Sequence, residues 1–331
     1  MTKQYPDRKA LLEIAESFMA ACVLGAAAEL DLFTLLADQP ASAEQITTRI
    51  KGDRRCTEVL LDAAVSLDLL DKNDGIYTTP QPLIPYLTSS GKETALPMVL
   101  HRMNVLRGWV QLPWVAKSGV PFPRQSSIRG PLADREAFVA AMHSVSGPIA
   151  DDVITRWGPP NFTHALDVGG ASGSWTLALL RAMPGARATL FDLPDAVKQA
   201  RERIGPTEYN DRVTLTVGDF YRDELPNGVD LAFVSAIVHQ HSRQHNRELF
   251  QKIHRALEPG GTIAIRDVVM DTDHTTPQFG ALFAVNMIVN TDTGTTFSFE
   301  ELAEDLQTTG FTNPQLSLKT EDMSSIVTAT K

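Results

Sequence analysis

The stretch at residues 165–194, ALDVGGASGSWTLALLRAMPGARATLFDLP, decides the fold of this chain. It opens with a short apolar run at 165–168, passes through a turn of small residues at 169–173, and continues into an apolar helix that ends near Met183. A second apolar run at 188–191 ends at Asp192. This order predicts a strand, a turn, a helix and a second parallel strand, joined by a right-handed crossover.

Asp192 stands at the carboxyl end of the second predicted strand, which is where ligands bind in sheets of this kind. A carboxylate there can accept hydrogen bonds from both vicinal hydroxyls of a ribose. The turn departs from the G-x-G-x-x-G pattern of dinucleotide sites, because Ala171 and Ser174 fill its third and sixth positions. It runs Asp-x-Gly-x-x-x-Gly, from Asp167 to Gly173. Such a turn can serve helix–strand packing alone, but the acid one strand later favours a nucleoside site.

Three segments, LDVGGASGSW at 166–175, FDLP at 191–194 and VGDFY at 217–221, resemble the S-adenosylmethionine signatures of class I methyltransferases. They are most similar to the small-molecule O-methyltransferase family of caffeic acid, hydroxyindole and bacterial polyketide or carotenoid enzymes, and the similarity covers nearly the whole chain. The resemblance implies an α/β fold with a Rossmann-like seven-stranded methyltransferase sheet. It also implies S-adenosylmethionine as cofactor, S-adenosylhomocysteine as product, and a small-molecule acceptor, an aromatic compound or a polyene, that is methylated on a hydroxyl group.

The resemblance assigns a set of residues to the cofactor. By the family pattern, Asp219 lies by the adenine amino group and Phe220 packs on the adenine ring; an ordinary capping acid at a strand end is the alternative for Asp219. The residues assigned to the cofactor are Gly169, Gly170, Asp192, Leu193, Asp219, Phe220 and Ser235.

Composition narrows the class of protein. A length of 331 residues favours two domains, and 43% hydrophobic residues are typical of a globular chain. The formal net charge of −10 disfavours nucleic acid as the main partner. Cys22 and Cys56 have no metal or redox spacing, so we expect buried thiols in a reducing compartment. We expect no apolar run of the ~18 residues that a membrane span needs, no secretory signal, and hence a cytoplasmic location.

Residues 1–95 are predicted to form a mostly helical winged-helix domain. Apolar residues recur at helical spacing from about residue 8 to residue 28, shorter helices follow, and Asp74-Gly75 marks the turn of a hairpin. Ser42 is the expected N-cap of one of these helices. The broad apolar stripe of the first helix is a candidate for burial against a second copy, and packing within its own domain is the alternative. In the resembled family this region is a dimerisation domain, which implies a homodimer.

A winged-helix pattern also raises the hypothesis of a DNA-binding regulator. Residues 1–100 contain nine Lys and Arg but fourteen Asp and Glu, so this part is acidic. The helix that would read DNA begins with Arg54 and Arg55, and Asp62 and Asp68 follow. Because DNA binding needs basic residues that face phosphates, this hypothesis is disfavoured.

Residues 96–160 are predicted to be a helical connector that contributes to the acceptor pocket, and residues 161–331 the S-adenosylmethionine-binding catalytic domain. Aromatic and Met residues at helical spacing are more often core than pocket. The resemblance nevertheless places 108–122 in a helix that walls the acceptor site. The residues it assigns to the acceptor are Trp109, Met142, Asn286, Met287 and Asn290. Further strands are predicted at 213–217, 229–235, 262–267, 316–318 and 325–329, and further helices at 243–257, 279–291 and 298–309.

His239 follows the predicted strand at 229–235, on the same rim of the sheet as the glycine turn and Asp192. Methyl transfer requires alignment of the acceptor with the methyl group, and a phenol, with a pKa of about 10, is helped by a base. The resemblance places the family's catalytic histidine on His239 and the acid that orients it on Asp267. An orienting carboxylate fixes the tautomer of an imidazole and stabilises its protonated form.

The match has two departures. Gln240-His241 stands where the family usually has Asp-Trp, and Thr296 falls where plant members have a second acid. The imidazole would then be supported from one side, so methyl transfer to carbon or nitrogen, or cofactor binding without transfer, stay open as alternatives. His239, His241 and His245 invite a metal hypothesis, but no third-ligand pattern follows. We expect His241 and His245 to be a solvated, partly capping pair, and no metal.

Two alternatives concern other residues. A nicotinamide oxidoreductase is disfavoured by Ala171 and Ser174 in the glycine turn. Arg266, next to Asp267, is expected to point to the opposite face of the sheet, although it could reach an anionic acceptor if the strand ends early.

Overall fold

The N-terminal part of the chain forms short helices and a small antiparallel sheet in the computed structural model, which describes residues 5–331. The sheet has the order β1-β3-β2, and both strand pairs are antiparallel. The elements of this part are α1 (Arg8–Glu16), α2 (Phe18–Glu29), α3 (Leu32–Asp38), β1 (Ala41–Ser42), α4 (Ala43–Ile50), α5 (Arg54–Ser66), β2 (Asp71–Asn73), β3 (Ile76–Thr78) and α6 (Ile84–Leu87).

The predicted hairpin turn and helix cap are both present in this region. Asp74 and Gly75 have φ angles of +47° and +78°, the left-handed pair that a two-residue hairpin loop needs. The hydroxyl of Ser42 accepts a hydrogen bond from the backbone N–H of Gln45, and the side chain of Gln45 accepts one from the backbone N–H of Ser42. Short helices followed by a hairpin give the predicted winged-helix pattern.

The chain divides into two compact units. The first comprises the described residues up to Arg107 together with Arg124–Ser144, and the second comprises Gly108–Pro123 together with Val145–Lys331. The helices of the middle region are α7 (Leu96–Trp109), α8 (Leu112–Ser118) and α9 (Pro131–Trp157). Both α7 and α9 therefore contribute residues to each unit.

The second unit is an α/β fold around the predicted seven-stranded sheet, whose order is β11-β12-β8-β7-β4-β5-β6. Its strands are β4 (His164–Val168), β5 (Arg187–Asp192), β6 (Val213–Val217), β7 (Val229–Ser235), β8 (Leu257–Asp267), β11 (Thr312–Leu318) and β12 (Ser325–Thr330). Its helices are α10 (Ser174–Ala182), α11 (Pro194–Ile204), α12 (Arg243–Ala256), α13 (Gln278–Asn290) and α14 (Phe299–Thr308). A separate parallel pair consists of β9 (Val269–Met270) and β10 (Phe297–Ser298).

Five parallel strands bring the predicted site residues to one edge of this sheet. β6, β5, β4, β7 and β8 are parallel neighbours, so their carboxyl ends meet there. The strand ends are Val217, Asp192, Val168, Ser235 and Asp267, and we call this place the carboxyl edge. β4 and β7 are central and nearly fully buried, which explains their continuous apolar sequences.

The two cysteines do not follow the sequence expectation. Cys56 is exposed and Cys22 is only partly buried, so the prediction of two buried thiols is wrong. Cys56 lies in the first turn of α5, where its backbone N–H donates to the capping carboxylate of Asp53 at 2.9 Å. Helical periodicity located both residues on helices but did not identify which helix face is covered.

The N-terminal helical stretch Arg8–Glu29 is long and apolar enough to cross a membrane by length and composition alone. This corrects the expectation that no stretch would meet that criterion. The apolar, alanine-rich α2 gives the stretch this composition, although charged residues interrupt the apolar run. A helix of a water-soluble protein can meet the same criterion, so the finding is weak evidence for a membrane span.

Candidate active site

The turn that follows β4 leaves bare backbone at the carboxyl edge. Gly169, Ala171 and Gly173 have φ angles of +69°, +48° and +80°. A Cβ atom at Gly169 would lie 2.7 Å from Cδ1 of Ile237, and one at Gly170 would lie 2.7 Å from Cγ of Leu190. Neither position has room for a side chain. Gly173, which precedes α10, supplies no side-chain cap, so the first N–H groups of this helix can bind a ligand.

Asp192, at the end of β5, faces this turn. Its Oδ2 accepts a hydrogen bond from the backbone N–H of Ala171 at 2.8 Å, and its Oδ1 accepts one from the backbone N–H of Leu193 at 2.7 Å. Burial raises the pKa of Asp192, and these two N–H groups oppose the rise. Each oxygen keeps a lone pair, so the carboxylate can still accept hydrogen bonds from a ribose diol. The side chain of Leu193 is exposed.

Asp167 supports the turn from inside the unit. It is completely buried, and its Oδ2 accepts a hydrogen bond from the hydroxyl of Thr176 at 2.6 Å. Its Oδ1 has no hydrogen-bond partner. Burial, reinforced by the charge of Asp192, raises the pKa of Asp167 to about 7. A Cβ atom at Gly170 would also lie 2.8 Å from Oδ2 of Asp167, so this acid and the glycine fit each other closely.

Phe220 and Asp219 follow β6 at the other end of the carboxyl edge. A Cβ atom at Gly169 would lie 3.9 Å from Cε1 of Phe220, so the ring adjoins the glycine turn. Asp219 accepts a hydrogen bond from the backbone N–H of Tyr221 at 2.9 Å and lies 3.6 Å from the Nε of Arg222. Asp219 therefore does cap the turn after β6, the structural alternative that its sequence position left open.

His241 is buried, so the expectation of a solvated side chain is wrong. Its Nδ1 lies 2.6 Å from the hydroxyl of Tyr221, and its ring centroid lies 6.0 Å from that of Phe220. Burial, with a smaller contribution from His245, lowers the pKa of His241 to about 4, which makes the ring neutral at pH 7. The backbone N–H of His245 donates to the Ser242 cap at 3.3 Å. Phe220, Tyr221 and His241 form an aromatic cluster that the sequence did not predict.

Two side chains of α12 hold the segments that carry these residues. Lys252 Nζ donates to the backbone carbonyls of Phe220 and Asp223, at 2.7 and 2.8 Å. Asn246 is fully buried, and its Nδ2 donates to the backbone carbonyl of Val238 at 3.0 Å. No motif marks either residue, because each acts on a segment distant from it in sequence.

His239 lies in a short 3-10 turn, Val238–Gln240, that follows β7. Its Nδ1 lies 2.9 Å from both carboxylate oxygens of Asp267, and both side chains are buried. The backbone N–H of Val268 donates to Asp267 Oδ1 at 2.8 Å and fixes the carboxylate. Because a carboxylate can only accept, Nδ1 carries the hydrogen of a neutral ring and Nε2 keeps a free lone pair.

An aromatic pair on α13 lies beside this imidazole. The ring of Phe283 meets the ring of His239 edge-on, with centroids 4.9 Å apart, and stacks on Phe279 at 5.7 Å. Thr296, at the position where plant members of the family have a second acid, is buried and adds no charge beside His239. Asp267 is the one carboxylate that pairs with His239 among the residues that the structure describes.

The structure brings three of the predicted acceptor residues together. Nε1 of Trp109 donates to Oδ1 of Asn286 at 3.1 Å, and Nδ2 of Asn290 donates to the same oxygen at 3.0 Å. Met287, on the same helix α13, is buried. Met142 belongs to the first unit, where it is partly buried.

Ser235 and Arg266 are paired at the ends of β7 and β8. Nη1 of Arg266 donates to the hydroxyl of Ser235 at 3.0 Å, and the guanidinium lies 4.2 Å from the ring centroid of Trp175 on α10. Arg266 thus lies on the sheet face opposite to Asp267, as the strand alternation predicts. Among residues 5–331 no group of three or more His, Cys, Asp or Glu side chains could hold a metal ion.

Comparison with known proteins decides the family. A family model described as an O-methyltransferase domain matches residues 104–312, and one described as an O-methyltransferase dimerisation domain matches residues 12–81. The chain belongs to the O-methyltransferase family. The resemblance inferred from the three sequence segments is therefore confirmed.

Individual relatives of this O-methyltransferase match over most of their length. The tetracenomycin polyketide synthesis 8-O-methyl transferase TcmO of Streptomyces glaucescens is 30% identical over 309 residues, which cover 92% of this chain and 91% of TcmO. Acetylserotonin O-methyltransferase of Bos taurus is 28% identical over 85% of this chain and 86% of its own length.

Solved structures share the fold of this O-methyltransferase. Human N-acetylserotonin methyltransferase in complex with S-adenosylmethionine has a TM-score of 0.77 at 24% identity and covers 100% of this chain and 99% of its own. PigF with S-adenosylhomocysteine has a TM-score of 0.82 at 24% identity and covers 98% of this chain and 100% of its own.

The residues at the carboxyl edge fit the cofactor of the family. This O-methyltransferase depends on S-adenosylmethionine. The bare backbone at Gly169 and Gly170 admits close approach of a ligand, and Asp192 offers acceptor oxygens beside it. The chain thus presents, on one edge, the groups that a nucleoside needs.

Proposed function

We propose that this O-methyltransferase moves the methyl group of S-adenosylmethionine to a hydroxyl group of an aromatic small molecule, with His239 as the general base. The observation that carries the proposal is the buried His239–Asp267 pair, which lies at the same edge of the sheet as the glycine turn. The relatives support an aromatic acceptor, since their names include acetylserotonin and a hydroxylated naphthoate.

The cofactor would lie along the carboxyl edge. Asp192 would accept hydrogen bonds from the ribose hydroxyls. The protein backbone at Gly169 and Gly170 would allow the ligand to approach closely. Phe220 would pack on the adenine, in the aromatic cluster with Tyr221 and His241. Asp219, Leu193 and Ser235 would complete the site, although Asp219 and Ser235 already bond within the protein, to Tyr221 and Arg266.

The chemistry assigned to the protein is proton transfer and alignment. The bound cofactor supplies a methyl group on a positively charged sulfur. Nε2 of His239 has a free lone pair and can take the proton of the acceptor hydroxyl. Asp267 keeps Nδ1 protonated and stabilises the imidazolium that forms. Phe283 packs against the imidazole edge-on and limits its rotation.

The acceptor would bind between aromatic rings and amide groups. Phe279 and Phe283 stack on each other, and Phe279 is 41% exposed, so a planar aromatic acceptor has a ring to pack on. Asn286, which accepts hydrogen bonds from Trp109 and Asn290, and Asn290 itself are candidates for polar contacts with the acceptor. We assign Met287, which is buried on the same helix, to the apolar part of this pocket.

We further propose a homodimer that buries the N-terminal helices. The match to a dimerisation domain supports it. No residue of α1 is buried, although the helix is amphipathic. The exposed apolar residues of α1 and α2 are Leu11, Leu12, Ile14, Phe18 and Met19. A dimer would cover the stretch that meets the membrane-span criterion, in keeping with the expected cytoplasmic location.

The test uses the purified protein and S-adenosylmethionine with an isotopically labelled methyl group. A phenol panel, the matching methyl ethers, an aromatic amine, a phenol with blocked ring carbons and a polyene alcohol serve as acceptors. Mass spectrometry then locates the label. Label on phenol oxygen, and none on the methyl ethers, is the expected result. Label on ring carbon or amine nitrogen, or on the polyene alone, contradicts the proposal.

A further inference from the structure

Arg266 is a buried cation that lacks a bonded anion. Its side chain is 3% exposed, and its Nε is enclosed with no hydrogen-bond acceptor. Its guanidinium contacts two neutral groups, the hydroxyl of Ser235 and the face of Trp175. Within residues 5–331 it makes no ion pair. An unpaired charge in a protein interior is strongly unfavourable, so a partner is expected.

Two carboxylates, Asp267 and Asp322, act on Arg266 through their charge, but both are bonded to other groups. Asp267 bonds to His239 on the opposite face of the sheet. Asp322 accepts hydrogen bonds from the hydroxyl of Thr320 and the backbone N–H of Ser324, each at 2.8 Å. Burial lowers the pKa of Arg266 to about 10, so the guanidinium is still charged at pH 7.

The position of Arg266 relates its charge to the cofactor site. It is in register with Ser235, the last residue of β7, and Trp175 lies in the first turn of α10, directly after the glycine turn. The guanidinium therefore lies between the end of β7 and the start of α10. If the ribose binds Asp192 and the sulfur faces His239, the amino-acid part of the cofactor extends toward β7 and β8. That part carries the single carboxylate of the cofactor.

We propose that Arg266 supplies the positive charge that holds the methionine carboxylate of the cofactor. This inference rests on the proposed function, because it requires the nucleoside to bind at the carboxyl edge. An anionic acceptor is a poorer partner for Arg266, since the acceptor has to meet His239 on the other face of the sheet. Ser235 then acts as a positioning residue that orients the guanidinium.

The test compares two ligands that share a nucleoside. S-adenosylhomocysteine carries the amino-acid carboxylate, whereas 5′-methylthioadenosine lacks the whole amino-acid tail. Calorimetry on the full chain measures the affinity of each ligand for the wild type and for Arg266→Met, which keeps an unbranched apolar side chain and removes the guanidinium with its charge. We expect the affinity for S-adenosylhomocysteine to fall about ten- to a hundredfold, and that for 5′-methylthioadenosine to change less than about twofold.

The possible outcomes separate the inference from the proposed function. If Arg266→Met weakens both ligands equally, or neither, the inference is wrong while the nucleoside site stands. If the wild type binds neither ligand, the proposed function is wrong, and the inference that rests on it is wrong as well. Thermal melting checks that the variant is folded. Arg266→Lys, which keeps a charge on a shorter side chain, should retain part of the preference for S-adenosylhomocysteine; complete loss of that preference would also argue against a charge effect.

Discussion

Nδ1 of His239 lies 2.9 Å from both oxygens of Asp267, so one carboxylate holds the imidazole through a single ring nitrogen. The two residues come from segments that follow or end neighbouring parallel strands, β7 and β8. Their separation is thus set by the sheet itself, and the backbone N–H of Val268 fixes the acid in addition. This relationship makes the roles of the two residues separable by mutation.

Replacement of the imidazole tests the base. His239→Ala should lower turnover about 10²- to 10⁴-fold, because the proposed acceptor of the hydroxyl proton is removed. Affinity for S-adenosylhomocysteine should stay within about twofold, since the proposed role of His239 is proton transfer and not binding of the cofactor. His254→Ala is the matched control, as that ring packs on Phe311 near the far end of α12. Turnover of His239→Ala equal to that of the wild type would exclude base catalysis.

Removal of the charge on Asp267 tests its orienting role. Asp267→Asn keeps the shape of the side chain but can no longer stabilise an imidazolium, and its amide can donate to Nδ1 and reverse the tautomer. We expect turnover to fall about 10²- to 10⁴-fold with unchanged affinity for S-adenosylhomocysteine. Steady-state kinetics and calorimetry measure the two quantities. A drop in affinity without a drop in turnover would show that Asp267 binds the cofactor and does not orient His239.

Asp192 is the proposed ribose ligand. Asp192→Ala should weaken binding of both S-adenosylhomocysteine and 5′-methylthioadenosine by about 1–3 kcal/mol, because a charged acceptor of hydrogen bonds is lost. Calorimetry measures the change, and Asp195→Ala, an exposed acid three residues later, is the control. Unchanged affinity in Asp192→Ala would remove this residue from the site.

Asp167 should make stability depend on pH. Its pKa is about 7 in the folded protein, above the ordinary value of 3.8, because burial disfavours the charged carboxylate; folding therefore favours its neutral form. The stability that it contributes is complete below about pH 4 and is lost as the pH rises to about 7. Relative to the wild type, Asp167→Asn should therefore gain up to about 4 kcal/mol in free energy of unfolding between pH 4 and pH 8.

Urea denaturation at several pH values measures this difference. Asp195→Asn, at an exposed acid of α11, serves as the control for the substitution itself. A constant difference between Asp167→Asn and the wild type from pH 4 to pH 8 would show that Asp167 does not titrate in this window.

The homodimer can be tested on the exposed face of the N-terminal helices. Ile14→Lys and Phe18→Lys place charges where an interface would be desolvated, so each should shift the protein toward monomer. Analytical ultracentrifugation measures the change. Lys9→Ala, on the polar side of α1, is the control and should leave the dimer intact. A wild type that is monomeric at micromolar concentration would contradict the proposal.

The sequence predicted what depends on local pattern. The apolar runs, the glycine turn and Asp192 define the strand, helix and strand at 164–192, and the observed elements agree to within a few residues. Capping at Ser42 and the hairpin at Asp74 were predictable for the same reason, since their signals lie within four residues.

What the sequence missed depends on contacts between distant segments. His241 is buried because Tyr221, 20 residues earlier, bonds to its ring. The exposure of Cys56 and the charge of Arg266 beside Trp175 likewise follow from how helices cover the sheet or the surface. Periodicity identifies an element but not the neighbour on each of its faces, so a local sequence pattern cannot predict these features.

Helix α12 bonds to the segment that carries the proposed base and to the segment that carries a proposed cofactor ligand. Near its start, Asn246 holds the turn that carries His239; two turns later, Lys252 holds the loop that carries Phe220. Because one helix holds both segments, a displacement of the helix moves both of them. Substitutions that tilt α12 without touching either ligand should therefore impair donor affinity and proton abstraction in step, and tuning one independently of the other would require changes elsewhere.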